Sequence, residues 1–140
     1  MGARYERETT INWGQCDPAG IVYYPNYFDM FNTSAEALVC QALDVHPRDF
    51  ARAYDFLGIP MREARNVYHR PSRNGDVIRI VSEIAAIGRT SLHIEHKLFK
   101  ADGELAVEGF EVRVWTQETA DGKLQSLEIP GDARARLMPA

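Results

Sequence analysis

Long apolar runs are missing from this chain: no stretch would cross a bilayer as a helix, and the opening residues MGARYERETT lack the apolar segment of a secretory signal. No membrane association is expected, and a cytoplasmic location is. Cysteine is scarce, too. Cys16 and Cys40 form no C-x-x-C pair and have no histidines at zinc-site spacing, so free thiols are expected rather than a disulfide or a metal centre. Positive charge is not in excess. Against 16 Lys+Arg stand 20 Asp+Glu, a net charge of −4, which argues against a general nucleic-acid surface. Repeats, low-complexity tracts and Pro/Gly/Ser-rich linkers are also lacking, so one domain over residues 1–140 is expected, and 45% hydrophobic residues suffice for its core.

The elements that are present come in an informative order. Tyr5, Arg7, Thr9, Ile11 and Trp13 alternate with polar neighbours, the period of a strand with one wet face, and the strand runs into a turn-rich segment from Gly14 to Gly20. Pro25 fits a first helical position. After it Tyr27, Phe28, Phe31, Ala35, Leu38, Val39 and Ala42 recur at helical spacing in a stripe wide enough to predict a largely enclosed helix. A shorter helix follows Pro47, through Asp49 to Tyr54, and ends at Gly58.

From Ile59 onward the chain reads as strands. Ile59 to Pro71 alternates poorly; Val77 to Ile87 is rich in Ile and Val; Leu92, Ile94, His96 and Leu98 share one face, as do Phe110, Val112 and Val114. Ala101-Asp102-Gly103 joins the last two strands as a hairpin, Asp121-Gly122 marks another turn, and the tail after Pro130 reads as a short helix. One long apolar helix followed by antiparallel strands predicts an α+β fold, a curved sheet wrapped around the helix. Such a sheet leaves an open edge that a second copy commonly covers, so at least a homodimer is expected.

The chemistry concentrates in Gly14-Gln15-Cys16-Asp17-Pro18-Ala19-Gly20-Ile21-Val22-Tyr23-Tyr24-Pro25-Asn26-Tyr27, where an acid in a tight turn precedes a helix start. Hydrolysis of a thioester needs an attacking oxygen or a base to activate water, and donors for the charge that develops on the carbonyl oxygen. Asp17 can supply the first. Unpaired backbone N–H groups at the helix start, around Tyr24, can supply the second, aided by the helix dipole. A thiolate leaves readily, so neither a metal nor a separate cofactor is called for. From residue spacing alone, Asp-Pro before Gly is equally a turn sequence that positions backbone.

The segment from Gly14 to Tyr27 resembles the active-site signature of the 4-hydroxybenzoyl-CoA thioesterase family of hotdog enzymes, and the length and element order fit throughout. The resemblance implies an acyl-CoA thioesterase whose only coenzyme is the coenzyme A of its substrate. It implies Asp17 as the catalytic carboxylate, nucleophile or base, and the amide of Tyr24 as the group that polarises the carbonyl. Asn32, at the place of an acidic hydroxyl-reading residue in hydroxybenzoyl-specific relatives, is expected to bind substrate, together with Ile59 and Pro60. Arg89, Thr90 and Ser91, in the turn where the family holds the nucleotide phosphates, are expected to bind coenzyme A, with the planar fork of Arg89 suited to phosphate. A homotetramer made of two dimers, with each active site at a subunit interface, follows from the same resemblance.

Other candidates carry less. Arg62, Arg65, His69, Arg70 and Arg73 form a basic run that reads as decoration of an exposed strand, with a 3′-phosphate contact as the other option. His93 and His96 fall on opposite strand faces and make no pair. Cys16 has no neighbouring His and sits beside a carboxylate, which disfavours a nucleophilic thiolate. A hotdog dehydratase would be expected to use a His near the helix, and none occurs before His46. A non-catalytic acyl-CoA-binding module and a short-chain aliphatic thioesterase of the Tol-Pal-associated branch remain as alternatives, and the Pro25-Asn26 pair favours the aryl branch.

Overall fold

The computed structural model describes residues 2–139, so only the first and last residues of the expected 1–140 domain lie outside it. Strand β1 (Arg4–Thr10) is followed by a helical turn, the long helix α1 (Pro25–Leu43) and the short helix α2 (Phe50–Tyr54). Four strands then follow: β2 (Met61–Tyr68), β3 (Val77–Ile87), β4 (Ser91–Lys100) and β5 (Leu105–Val114). A small hairpin, β6 (Thr116–Glu118) with β7 (Leu124–Ser126), and helix α3 (Gly131–Leu137) complete the chain.

The five long strands form one antiparallel sheet in the order β1-β3-β4-β5-β2, with α1 packed on its inner face. α1 begins at Pro25 because the ring suits the first helical position, where a missing N–H costs nothing. Its stripe of Tyr27, Met30, Phe31, Ala35, Leu38, Val39 and Leu43 is buried against strand residues such as Ile80, Ile84, Ile94 and Leu98. Each fully buried side chain of that size contributes about 2 kcal/mol. Gly109 of β5 makes room for the helix, since a Cβ there would lie 2.5 Å from Phe31 Cδ2.

Two expectations change. β1 stops at Thr10, short of Trp13, because the Asn12 carbonyl and side chain, with Gln15, cap a helical turn over Trp13–Gln15 that ends the alternation. The short helix ends at Tyr54, with Asp55 in the left-handed region at φ 48°, four residues before Gly58. The shared face of Phe110, Val112 and Val114 is only half-buried and points away from α1; Gly109, Glu111 and Arg113 are the buried set. The poorly alternating stretch after Ile59 is β2, a sheet edge exposed at all positions but Asn66. No helix among the described residues is long and apolar enough to cross a membrane.

Candidate active site

Asp17 sits at the head of a tight hairpin. Its N–H donates to the Ile21 carbonyl at 2.9 Å, the Gly20 N–H donates to the Asp17 carbonyl at 2.9 Å, and Cys16 bridges Val22. Gly20 closes the turn at φ +82°, a conformation that costs glycine little and a branched side chain much. One carboxylate oxygen, Asp17 Oδ1, accepts the Ala19 N–H at 2.8 Å; Oδ2 has no partner among the described residues. The turn thus holds the carboxyl in place and leaves half of it available.

The hairpin is fastened to the start of α1. The Gln15 carbonyl accepts from the Tyr23 N–H at 2.9 Å and from Asn26 Nδ2 at 2.8 Å, while the Val22 N–H donates to the Ser72 carbonyl at 2.9 Å. At the helix start, Asn26 N–H bonds the Tyr23 carbonyl and Tyr27 N–H bonds the Tyr24 carbonyl. Pro25 has no N–H. The Tyr24 N–H is therefore the free donor of this turn, without an acceptor among the described residues, at the positive end of the helix dipole. Beside it lies a cleft of about 370 Å³, mostly apolar, lined by Ile21, Tyr24, Tyr27, Tyr68 and Pro71. Burial pushes the Tyr27 phenol above its ordinary value, so it stays neutral in that wall.

The other expected site residues gather at the far end of β2. Met61 pairs with Arg113 and Tyr68 with Val107, so β2 runs from the Ile59-Pro60 end to the Tyr24 cleft, roughly 24 Å for eight residues. Pro60 accepts the Val114 N–H at 3.0 Å, and Thr90 accepts the Trp115 N–H at 2.7 Å, which brings Pro60 and the Arg89-Thr90-Ser91 turn to the same edge. The Arg89 carbonyl accepts from Ile129 N–H and from Arg134, while its guanidinium is exposed and has no partner among the described residues. Ile59 lines a second pocket of about 320 Å³ with Glu36, Cys40, Phe50 and Arg113. Asn32, two turns along α1 from Tyr24, adjoins that pocket through Arg113 and Glu36.

Beneath that pocket runs a buried polar chain that alternation patterns do not disclose. Arg113 donates from Nε to Glu111 Oε1 at 2.6 Å and from Nη2 to Asn32 Oδ1 at 2.8 Å. Glu111 Oε2 lies 2.8 Å from His96 Nε2, and His96 Nδ1 lies 2.6 Å from Ser82 Oγ. Phe31 stacks on the His96 ring at 4.7 Å. Burial works to raise the Glu111 pKa, but the His96 and Arg113 contacts outweigh it and hold the carboxyl below its ordinary value. The one trace of it in the sequence is a pair of charged residues at two-residue spacing, Glu111 and Arg113, on the strand face opposite Phe110, Val112 and Val114.

Two members of the basic run pair with acids and a third stacks on an aromatic ring. Arg70 bonds Asp102 and Glu104, His69 pairs with Glu108, and the Arg65 guanidinium stacks on Phe110 at 4.0 Å. Burial and the nearby Glu36 charge push the Cys40 thiol upward, which makes it a poor nucleophile.

Residues 11–137 match the model of the Thioesterase-like superfamily. The chain belongs to that family. It is a hotdog-fold acyl-CoA thioester hydrolase. The 1,4-dihydroxy-2-naphthoyl-CoA hydrolase of Synechococcus elongatus is 28% identical over 96 residues, 69% of this chain and 70% of the relative. The 4-hydroxybenzoyl-CoA thioesterase of Pseudomonas sp. (strain CBS-3) is 25% identical over 136 residues, 94% of this chain and 96% of the relative. The solved structure of that Pseudomonas enzyme superposes with a TM-score of 0.87 at 23% identity, over 96% of this chain and 99% of its own. The sheet order and enclosed helix of this thioesterase are thus those of a known fold.

Proposed function

We propose that the protein hydrolyses an aromatic, benzoyl-type acyl-CoA thioester to the free acid and coenzyme A in a cytoplasmic setting. The observation that carries this reading is the juxtaposition of a half-free Asp17 carboxylate with the unpaired Tyr24 N–H, on a hairpin stapled to the helix start. In this mechanism the Tyr24 N–H binds the thioester oxygen as it gains charge, and Asp17 attacks the carbonyl carbon or draws a proton from an attacking water. The C–S bond breaks, the thiolate leaves with a proton, and water supplies the new carboxylate oxygen. Named relatives that act on 4-hydroxybenzoyl-CoA and 1,4-dihydroxy-2-naphthoyl-CoA favour an aryl group over a short aliphatic one.

Asn32, Ile59 and Pro60 serve as acyl-group contacts and Arg89, Thr90 and Ser91 as coenzyme A contacts in this reading, in a homodimer that assembles further into a tetramer. The exposed edge of β2 supports the dimer. Antiparallel pairing of two β2 edges would lay the Tyr24 end of one chain against the Pro60-Arg89 end of the other and complete two sites that each single chain leaves divided. A panel of benzoyl, hydroxybenzoyl, phenylacetyl and short aliphatic CoA esters, followed by release of free thiol, tests the proposal. Aryl esters should give the highest kcat/KM; thiol release from aliphatic esters alone, or from none, would refute it.

A further inference from the structure

Two α1 side chains at the acyl pocket carry an oxygen that can accept a hydrogen bond, the half-buried Asn32 beside it and the exposed Glu36 in its lining, and they are not equivalent. Arginine only donates, so the Arg113 Nη2 contact at 2.8 Å obliges Asn32 to turn its oxygen toward the guanidinium and its amide nitrogen outward. That nitrogen lies 3.2 Å from Glu36 Oε1. Glu36, one helical turn beyond Asn32, lines the pocket with Ile59, Phe50 and Cys40, and the Asn32 amide is its sole hydrogen-bond or ion-pair partner among the described residues. A carboxylate has acceptor sites for about four hydrogen bonds, so most of Glu36's capacity is unused. Arg113, by contrast, is committed to Glu111 and Asn32 and is 4% exposed.

We infer that Glu36 is a specificity-determining residue that accepts a hydrogen bond from a hydroxyl or amino group on the acyl ring, while Asn32 flanks it as a donor whose oxygen Arg113 has taken. The inference rests on the aryl-thioesterase reading and names its substrate class: aromatic acyl groups that carry a hydrogen-bond donor at the end remote from the thioester. A charged acceptor strengthens such a bond, and burying the pocket's unused acceptor against an apolar substituent disfavours substrates without a donor.

The test compares kcat/KM for 4-hydroxybenzoyl-CoA and 4-aminobenzoyl-CoA with that for 4-methoxybenzoyl-CoA, which is of similar shape but cannot donate. The wild-type protein should prefer the donors by about tenfold, and Glu36→Gln should lose most of that preference with an unchanged thermal midpoint. A Glu36→Gln variant with the wild-type ratio overturns the inference and leaves the thioesterase reading intact. Thiol release from aliphatic esters with none from any aryl ester would instead overturn the aryl reading, and this inference with it.

Discussion

Asp17 gives one carboxylate oxygen to its own turn and keeps the other, so replacing it by asparagine preserves the turn's acceptor while removing the charge that reaction needs. We expect Asp17→Asn to bind substrate nearly as well as the parent and to lose at least ~10² in turnover. Single-turnover thiol release together with equilibrium binding of an aryl-CoA measures both; wild-type turnover would exclude Asp17 from the chemistry. Arg89 is a different case, since its guanidinium points to solvent from a turn whose backbone is firmly held. Contacts to a remote phosphate are similar in ground and transition states, so Arg89→Ala should raise KM several-fold with little change in kcat, an effect that shrinks with added salt.

At the scale of elements, β5 and α1 are joined by the hydrogen bond from Arg113 to Asn32 as well as by apolar packing, and Arg113 is paired with Glu111 along β5 itself. Arg113 and Glu111 are each buried, and removing Arg113 leaves the Glu111 charge with only the His96 ring beside it. Arg113→Met should therefore cost about 3–5 kcal/mol at neutral pH, read by urea unfolding. The sign of the pH effect follows from the depressed Glu111 pKa. A lowered folded-state value contributes stability that is present above the ordinary 4.5 and lost as pH falls through the folded value. Protonated Glu111 needs no cationic partner, so the gap between variant and parent should narrow as the pH drops below about 4.5. A gap independent of pH would show that the loss comes from packing alone.

At the scale of the molecule, the expected site residues divide between the two ends of β2, and this division is testable by mixing. If two chains share each site, a dimer of one Asp17→Asn chain and one Arg89→Ala chain has one doubly damaged site and one intact site. Co-refolding the two variants should thus restore a component with wild-type KM and wild-type turnover together, which neither variant has alone. If Asp17 and Arg89 serve the same chain's site, no intact site forms in the mixture and no such component appears.

Element type and order were legible because the relevant signals are local. A three- and four-residue apolar stripe after Pro25 names α1, Ile/Val richness names β3 and a shared apolar face names β4, while the Asp17 turn is local in the sequence but takes its chemistry only from the family resemblance. The extent of β1 was misjudged because the Asn12-Gln15 cap competes with alternation and wins locally. The inner face of β5 was decided only by tertiary structure: two-residue periodicity separates two faces without saying which meets the helix, and here Gly109 admits Phe31 while Glu111 and Arg113 find partners on β4 and α1. Asn32 could be named from position, but the direction its amide faces depends on a guanidinium 81 residues away in the chain. Local chemistry is written in neighbouring residues; the partner that sets a side chain's polarity arrives through the fold.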